Sequence, residues 1–307
     1  MKKILIICGI FVLTIFMIPV TLSAMSAPDS KEIDEEFFIT VFRDETDEFE
    51  EMELERYLVG VVAAEMPALF DIEALKAQAI ASRTYALRIL EHNDYILDTV
   101  MHQVFHDEEQ LRERWGADFD THHATITEAV MATRGMVITY NDALISPLFF
   151  ALSNGRTENS EDFFENSTPY LRSTPSKWDM EHENFAVESN FSLSELRDAL
   201  ETPDLTLSSF TVSSETEGGN VAEVQVGSGS LTGREVREAL GLRSSAFSIT
   251  RNNSEGVTIT TYGHGHGVGM SQNGANFMAR EGYTHVEILK HYYENVQIVE
   301  KSSLSFE

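Results

Sequence analysis

Residues 54–90 read LERYLVGVVAAEMPALFDIEALKAQAIASRTYALRIL, and the fold is legible from that stretch outward. Leu54, Tyr57, Leu58, Val61 and Val62 recur at three- and four-residue steps, the period of one helix face. Pro67 stops this helix soon after Glu65, because proline cannot supply the next backbone N–H. Asp71 has the chemistry of an N-cap for a second helix through Leu75, Ala79, Ser82, Ala86 and Ile89. That helix is rich in Ala and Ser, so a neighbour can approach it closely. A third helix is expected over 121–133.

Beyond it the period changes. Strands are expected at 136–140 and 144–152, split by the turn signal Asn141-Asp142. Residues 153–184 have little regular periodicity and are dense in polar side chains, aromatics and proline. A loop of that length in a compact chain is usually functional or mobile. A helix is expected at 191–201, strands at 205–212, 221–226 and 257–262, and helices at 270–278 and 286–293. Helices and antiparallel strands come in separate groups, so the fold class is α+β.

The whole chain has 307 residues, 42% hydrophobic and 23% charged, the composition of a folded globular protein. Its net charge is −28, which excludes nucleic-acid binding, since phosphate contacts need clustered Lys and Arg. Such a chain is also repelled by anionic membranes and wall polymers unless something holds it there. Lys2 and Lys3, then an uncharged stretch over 4–28, supply that hold. The stretch exceeds the ~20 apolar residues a membrane helix needs, and acidic residues follow it. Residues 1–28 are therefore expected to be a single transmembrane anchor with the bulk of the chain outside the cytoplasm. The competing reading is a signal peptide cleaved near Ala24-Met25-Ser26. The sole cysteine, Cys8, lies inside this segment, so the exported part has neither disulfides nor thiolate ligands. Residues 29–55 carry a net charge of −11. We expect 29–53 to be an acidic spacer containing one short strand at 37–42, and 54–307 to be the functional body.

Three places have the residues for chemistry. Glu65 follows Val61-Val62-Ala63-Ala64 and precedes Met66-Pro67. A carboxyl desolvated by such neighbours holds its proton toward neutral pH and can serve as a general acid. The alternative is a helix-terminal glutamate turned to solvent. Ser153, Asn154, Gly155, Arg156, Thr157 and Glu158 follow an apolar run, and their hydrogen-bonding groups suit a hydroxyl-rich ligand such as a sugar. They suit an ordinary hairpin corner equally well. Residues 263–275, GHGHGVGMSQNGA, place four alternating glycines and two histidines between a strand and a helix, where backbone can approach a ligand. The run lacks the ending of a phosphate loop. No set of three or four ligands at metal spacing accompanies His264 and His266, or His102 and His106, so no metal and no other cofactor is expected.

Taken in order, several stretches resemble the stage II sporulation protein D family of endospore-forming bacteria: 58–67 with AAEMP, 74–87 with KAQA and SRTYA, and 149–162. The resemblance continues through PYLRS at 169–173, 231–242 and 263–275. It implies a membrane-anchored lytic transglycosylase whose body surrounds a glycan-binding groove. Glu65 falls on the family's acid/base glutamate. Arg83, Tyr85, Ser153, Arg156, Glu158, His266 and Gln272 fall on stretches that look like the groove lining. The implied partners are peptidoglycan glycan strands, a sporulation cell-wall amidase and a membrane scaffold protein, at the septal wall during engulfment. A candidate docking sub-domain lies around 176–245, with Trp178 and the helix at 191–201; a locally satisfied core reads the same way. Related proteins are described as amidase enhancers, which leaves a non-catalytic glycan-binding role as the alternative. Some clostridial members look to hold zinc through Cys and His just before the segment here reading His102-Gln103-Val104-Phe105. With no cysteine there, that metal should be absent.

Overall fold

The computed structural model of the chain describes residues 37–164, 166–252 and 256–301. The anchor or signal expected at 1–28 therefore lies outside the described residues. The described residues from 38 onward form one unit. It begins with an antiparallel hairpin, β1 (Phe38–Arg43) and β2 (Glu48–Glu53), followed by α1 (Leu54–Glu65) and α2 (Ile72–Leu90). The short β3 (Ile96–Leu97) pairs in parallel with β1. Helices α3 (Glu108–Trp115) and α4 (Phe119–Ala132) lead to β4 (Met136–Tyr140), β5 (Ala143–Leu144) and β6 (Phe149–Phe150). After the one-turn α5 (Ser160–Phe163) come β7 (Ala186–Ser192), α6 (Leu193–Ala199), β8 (Phe210–Glu215), β9 (Val221–Val226), β10 (Gly229–Thr232) and α7 (Gly233–Leu240). The chain closes with β11 (Phe247–Asn252), β12 (Gly256–Tyr262), β13 (Met270–Ser271), α8 (Gln272–Arg280), α9 (His285–Tyr292) and β14 (Gln297–Glu300). The α+β class stands.

Local signals account for the elements around the site. Met66 is extended, at φ −124° and ψ 143°, as a residue before proline prefers, so α1 ends with Glu65 as its last residue. Asp71 caps α2 by accepting from the Glu73 N–H at 3.0 Å. The small residues of α2 let it pack against α1, α4, α8 and β4, and Ala74, Leu75, Ala77, Ala79, Ile80 and Ala81 are all fully buried. Four buried apolar groups from α1 (Tyr57, Leu58, Val61, Val62) complete this centre. Burial of such side chains is worth about 1.5–3 kcal/mol each, offset by chain entropy.

Several expectations are revised. The spacer is not merely a spacer: β1 and β2 close a hairpin whose Ile39, Val41 and Met52 enter the main core. The expected strand at 144–152 is broken, because Pro147 has no N–H for a ladder; the chain pairs only again at Phe149–Phe150, parallel to β13. The helix expected from 191 begins at Leu193, where Ser192 and Glu195 form a reciprocal capping box, and Phe191 belongs to β7 opposite Val257.

A second core is separate from the first. Leu196, Phe210, Val224, Val236, Val257 and Ile259 are buried together, enclosed by the sheets β10-β9-β8 and β11-β12-β7 with α6 and α7. This second core draws its residues from the stretch between β7 and β12. Trp178 lies in the first core instead and donates from Nε1 to Glu281 Oε2 at 2.8 Å.

Candidate active site

Glu65 stands at an open cleft of about 370 Å³. Tyr85 of α2, the segment 100–104, Pro147 to Phe149, Phe164 and His266 line the rest. Among these described lining residues Glu65 is the sole carboxylate. Its carboxyl is pushed up from the ordinary 4.5 by burial, against two donors that favour ionisation. The Val104 N–H donates to Oε1 at 3.3 Å, and the nearby Gln272 amide also favours the charged form. Burial wins, so the group keeps its proton to higher pH than a surface glutamate does.

The lip that carries Val104 is held by a close approach. A Cβ on Gly60 of α1 would lie 2.4 Å from Phe105 Cε2 and 2.5 Å from the His106 carbonyl oxygen. Only glycine lets the 104–106 segment lie there. Gly60→Ala is accordingly expected to lower stability by about 1–3 kcal/mol. It also weakens the Val104 contact to Glu65, read as a lower denaturation midpoint together with reduced activity.

The other wall comes from the glycine loop. Gly269 has φ +82°, and a Cβ there would sit 2.0 Å from the Leu148 carbonyl oxygen, so β6 and β13 could not pair. That pairing starts α8 and sets Gln272 in its first turn. His266 is fixed as a neutral ring. Its Nδ1 accepts from the Val268 N–H at 3.1 Å, so the proton is on Nε2, which donates to the Phe149 carbonyl at 3.1 Å. Burial pushes its pKa down to about 4, and Phe150, Phe163 and Phe164 surround it. It is a wall group and not a proton carrier at neutral pH. Burial likewise raises the Tyr85 hydroxyl and lowers His102, so both are neutral around pH 7.

The remaining expected site residues divide. Gln272 is 6% exposed, and its Nε2 donates to Gln78 Oε1 at 3.4 Å. Arg83 does not reach the cleft: it is 0% exposed, its Nε and Nη2 donating to the Glu55 carboxylate at 2.9 and 2.6 Å. It also caps the carbonyls of Met136 and Val130, both at 3.2 Å. Ser153 is buried and donates to the Asp179 carboxylate, which also accepts from Ser176 and Ser271 at 2.7 and 2.8 Å. That knot fastens the turn after β6 to the start of α8. Arg156 is occupied by Ser173, with Nε donating to its Oγ at 2.7 Å. Glu158 is buried and accepts from Thr216 Oγ1 at 2.5 Å and from the Gly218 N–H at 3.1 Å, so it secures the β8–β9 turn. Ser153, Arg156 and Glu158 share a different, much smaller recess.

Glu73 and Asp162, two further acids of the chain, are also absent from the described lining of the cleft. Burial of Glu73 opposes its ionisation, but Lys76 at 2.7 Å and His285 at 2.6 Å outweigh that and hold its carboxyl at about 2. Asp162 accepts from Asn159 Nδ2 at 3.1 Å. Among the described residues no group of three or more His, Cys, Asp or Glu is arranged to hold a metal ion.

Sequence reasoning did not find the Val104 N–H, the apolar lining from Phe149 and Phe164, or the buried Gln78 behind Gln272. Only Gln78 left a signal, as an amide in an otherwise apolar helix face four residues before Ser82.

Comparison with known proteins places these features in context. The sequence model of the family described as "SpoIID: Stage II sporulation protein" matches residues 43–140, which include Glu65. The stage II sporulation protein D of Bacillus subtilis (strain 168) is 41% identical over 271 residues, covering 85% of this chain and 79% of that protein. Its counterpart in Bacillus amyloliquefaciens is 40% identical over 274 residues, with 86% and 79% covered. An amidase enhancer of Bacillus subtilis (strain 168) is 26% identical over 292 residues, covering 77% of this chain and 39% of the enhancer.

Proposed function

The chain belongs to the stage II sporulation protein D family, and from that premise we propose that it is a peptidoglycan lytic transglycosylase acting in sporulation. The observation that carries the reading is a desolvated, proton-retaining Glu65 as the one carboxylate among the described residues lining a cleft whose other side chains are apolar or neutral. Glycoside hydrolysis ordinarily employs two carboxylates, one of them to act as nucleophile or to activate water. A lytic transglycosylase needs only one.

In this scheme the Glu65 carboxyl donates its proton to the glycosidic oxygen between N-acetylmuramic acid and N-acetylglucosamine. The C1–O bond breaks as the sugar moves toward an oxocarbenium ion. The resulting carboxylate then takes the proton of the C6 hydroxyl on the same N-acetylmuramic acid as that oxygen closes on C1, leaving a 1,6-anhydro end. The nucleophile is part of the substrate, so its effective concentration is high without a water-activating base. Val104 N–H and Gln272 support the ionised form that exists between the two steps. The Phe149 and Phe164 rings and the neutral His266 offer apolar faces to the sugar and keep bulk water from competing.

We place the body outside the cytoplasm, tethered by residues 1–28, beside a wall amidase that removes acidic stem peptides first and a membrane scaffold protein. The net charge of −28 fits a peptide-stripped strand better than intact anionic wall. The deciding measurement is mass spectrometry of the new reducing ends formed from peptide-free glycan strands. An anhydro sugar is the expected product; a free reducing end sinks the single-carboxylate scheme.

The similarity to an amidase enhancer supports a second reading, a glycan-binding protein that stimulates an amidase without cleaving strands itself. Under that reading wild type and Glu65→Ala are equally inert on glycan while amidase stimulation persists.

A further inference from the structure

The lip that brings the Val104 N–H to Glu65 is held unevenly along its length. At its outer end Val100 and Met101 are 86% and 72% exposed. At its inner end the Phe105 N–H donates to the Asp98 carbonyl at 3.1 Å and the His106 N–H to the Gly60 carbonyl at 3.4 Å. The Phe105 ring also stacks on Tyr57, with centroids 5.5 Å apart. Gln103 stands between the two ends. It is 2% exposed, and its Nε2 donates to the Ser82 carbonyl of α2 at 3.2 Å. Ser82 is a firm anchor: it is 0% exposed within α2, and its Oγ accepts from Gln78 Nε2 at 3.1 Å. The residue after Gln103 is Val104, whose N–H reaches Glu65 Oε1 at 3.3 Å. A hydrogen bond of that length is at the long end of the range, so an outward shift of a few tenths of an ångström ends it.

We propose that Gln103 is a positioning residue: by fastening the lip to the Ser82 carbonyl it keeps the Val104 N–H on Glu65, and that N–H helps the acid part with its proton and hold the charge until the base step. This deepens the reading of Glu65 as general acid and rests on it, but its readout needs no turnover. The close approach of Phe105 to Gly60 fixes the lip from one side only. A lip fastened there alone leaves the backbone torsions of 103 and 104 free to turn the N–H away. The sign follows: the N–H bonds the ionised carboxylate, so its loss moves the Glu65 midpoint upward. The other titratable and charged groups near Glu65 are Tyr57 on α1, Tyr85 on α2, His102 on the lip, His266 on the glycine loop and Arg114 of α3, which donates to the Ala64 carbonyl. Burial raises both tyrosines and lowers both histidines, so these four stay neutral through the window in which Glu65 is displaced upward.

The test is an NMR titration of the full-length protein that follows two signals. One is the Glu65 carboxyl ¹³C, assigned by its loss in Glu65→Gln. The other is the Val104 amide proton, which in wild type should shift with the same midpoint as Glu65 and in Glu65→Gln should not. Gln103→Met fills similar space without a donor. It is expected to remove most of the Val104 response and to raise the Glu65 midpoint by about one pH unit, the loss of one hydrogen bond to a charged group. In turnover the alkaline limb of kcat/KM should move up with that midpoint. Should Gln103→Met fail to fold, Gln103→Asn keeps the amide one methylene short of Ser82 and is read the same way. A lowered Tm with the Val104 response and the Glu65 midpoint both unchanged assigns Gln103 a merely structural role and overturns the proposal. Both signals moving in a protein whose wild type cleaves no strand would support Gln103's role while removing the catalytic reading. Intact cleavage by wild type with neither signal moved in the variant would do the reverse.

Discussion

Glu65→Gln is expected to lower strand cleavage by about 10²–10⁴-fold, the usual contribution of a positioned general acid and base. The substitution preserves shape and can still accept from Val104, but it can neither protonate the glycosidic oxygen nor take the C6 proton. Binding of peptide-free glycan should survive, because the walls of the cleft are untouched. Stability supplies an independent check. The folded pKa of Glu65 lies above its ordinary 4.5, so between those two values the native state holds the extra proton. In that window stability falls as pH rises, and the penalty is complete above the folded pKa. Glu65→Gln removes this slope, so its unfolding midpoint at neutral pH should equal or exceed that of wild type. A variant that cleaves at the wild-type rate, with anhydro product, would refute the role given to Glu65.

Arg83→Met is expected to act on the fold and not on the substrate. It strands the Glu55 carboxylate, 6% exposed, and takes one donor from each of the Met136 and Val130 carbonyls. Breaking a buried pair from one side costs about 3–5 kcal/mol, so Tm should fall by roughly 10 °C. Replacing both partners, Glu55→Leu with Arg83→Met, should recover most of that loss, since it removes the stranded charge as well. Below the transition, KM for glycan should match wild type in either variant. An unchanged Tm with a raised KM would instead put Arg83 in the groove.

These two residues show how far the chain could be read without coordinates. Both stand in motifs that resemble the same family. Glu65 is legible because its neighbours within three positions are apolar and Pro67 closes the helix behind it, so its desolvation is largely a local matter. Arg83 is not, because its partner Glu55 is 28 residues away on another helix, and no periodicity announces a cation that will be paired inside. Ser153 and Glu158 repeat the point. Their turn has the hydrogen-bonding groups of a sugar site, yet those groups are consumed by Asp179 and by the Thr216–Gly218 turn.

The same division runs through the fold. Period, caps and proline set α1, α2, α4 and β4 within a residue or two, because those are forces between near neighbours. The acidic stretch before α1 reads as solvated, and most of it is. Its alternate residues nonetheless reach the core once β2 folds back on β1. The second core, too, depends on β7 meeting β12 across some 65 residues, a pairing that alternation permits but does not select.

Taken by itself, then, the sequence determined the α+β class and the family and put Glu65 forward as the candidate acid, since each rests on composition or on contiguous residues. Tertiary structure alone decided which polar side chains meet substrate space and which are spent inside. Burial is a property of whatever packs from elsewhere in the chain, and a carboxylate or guanidinium changes its role entirely when water is exchanged for a distant partner.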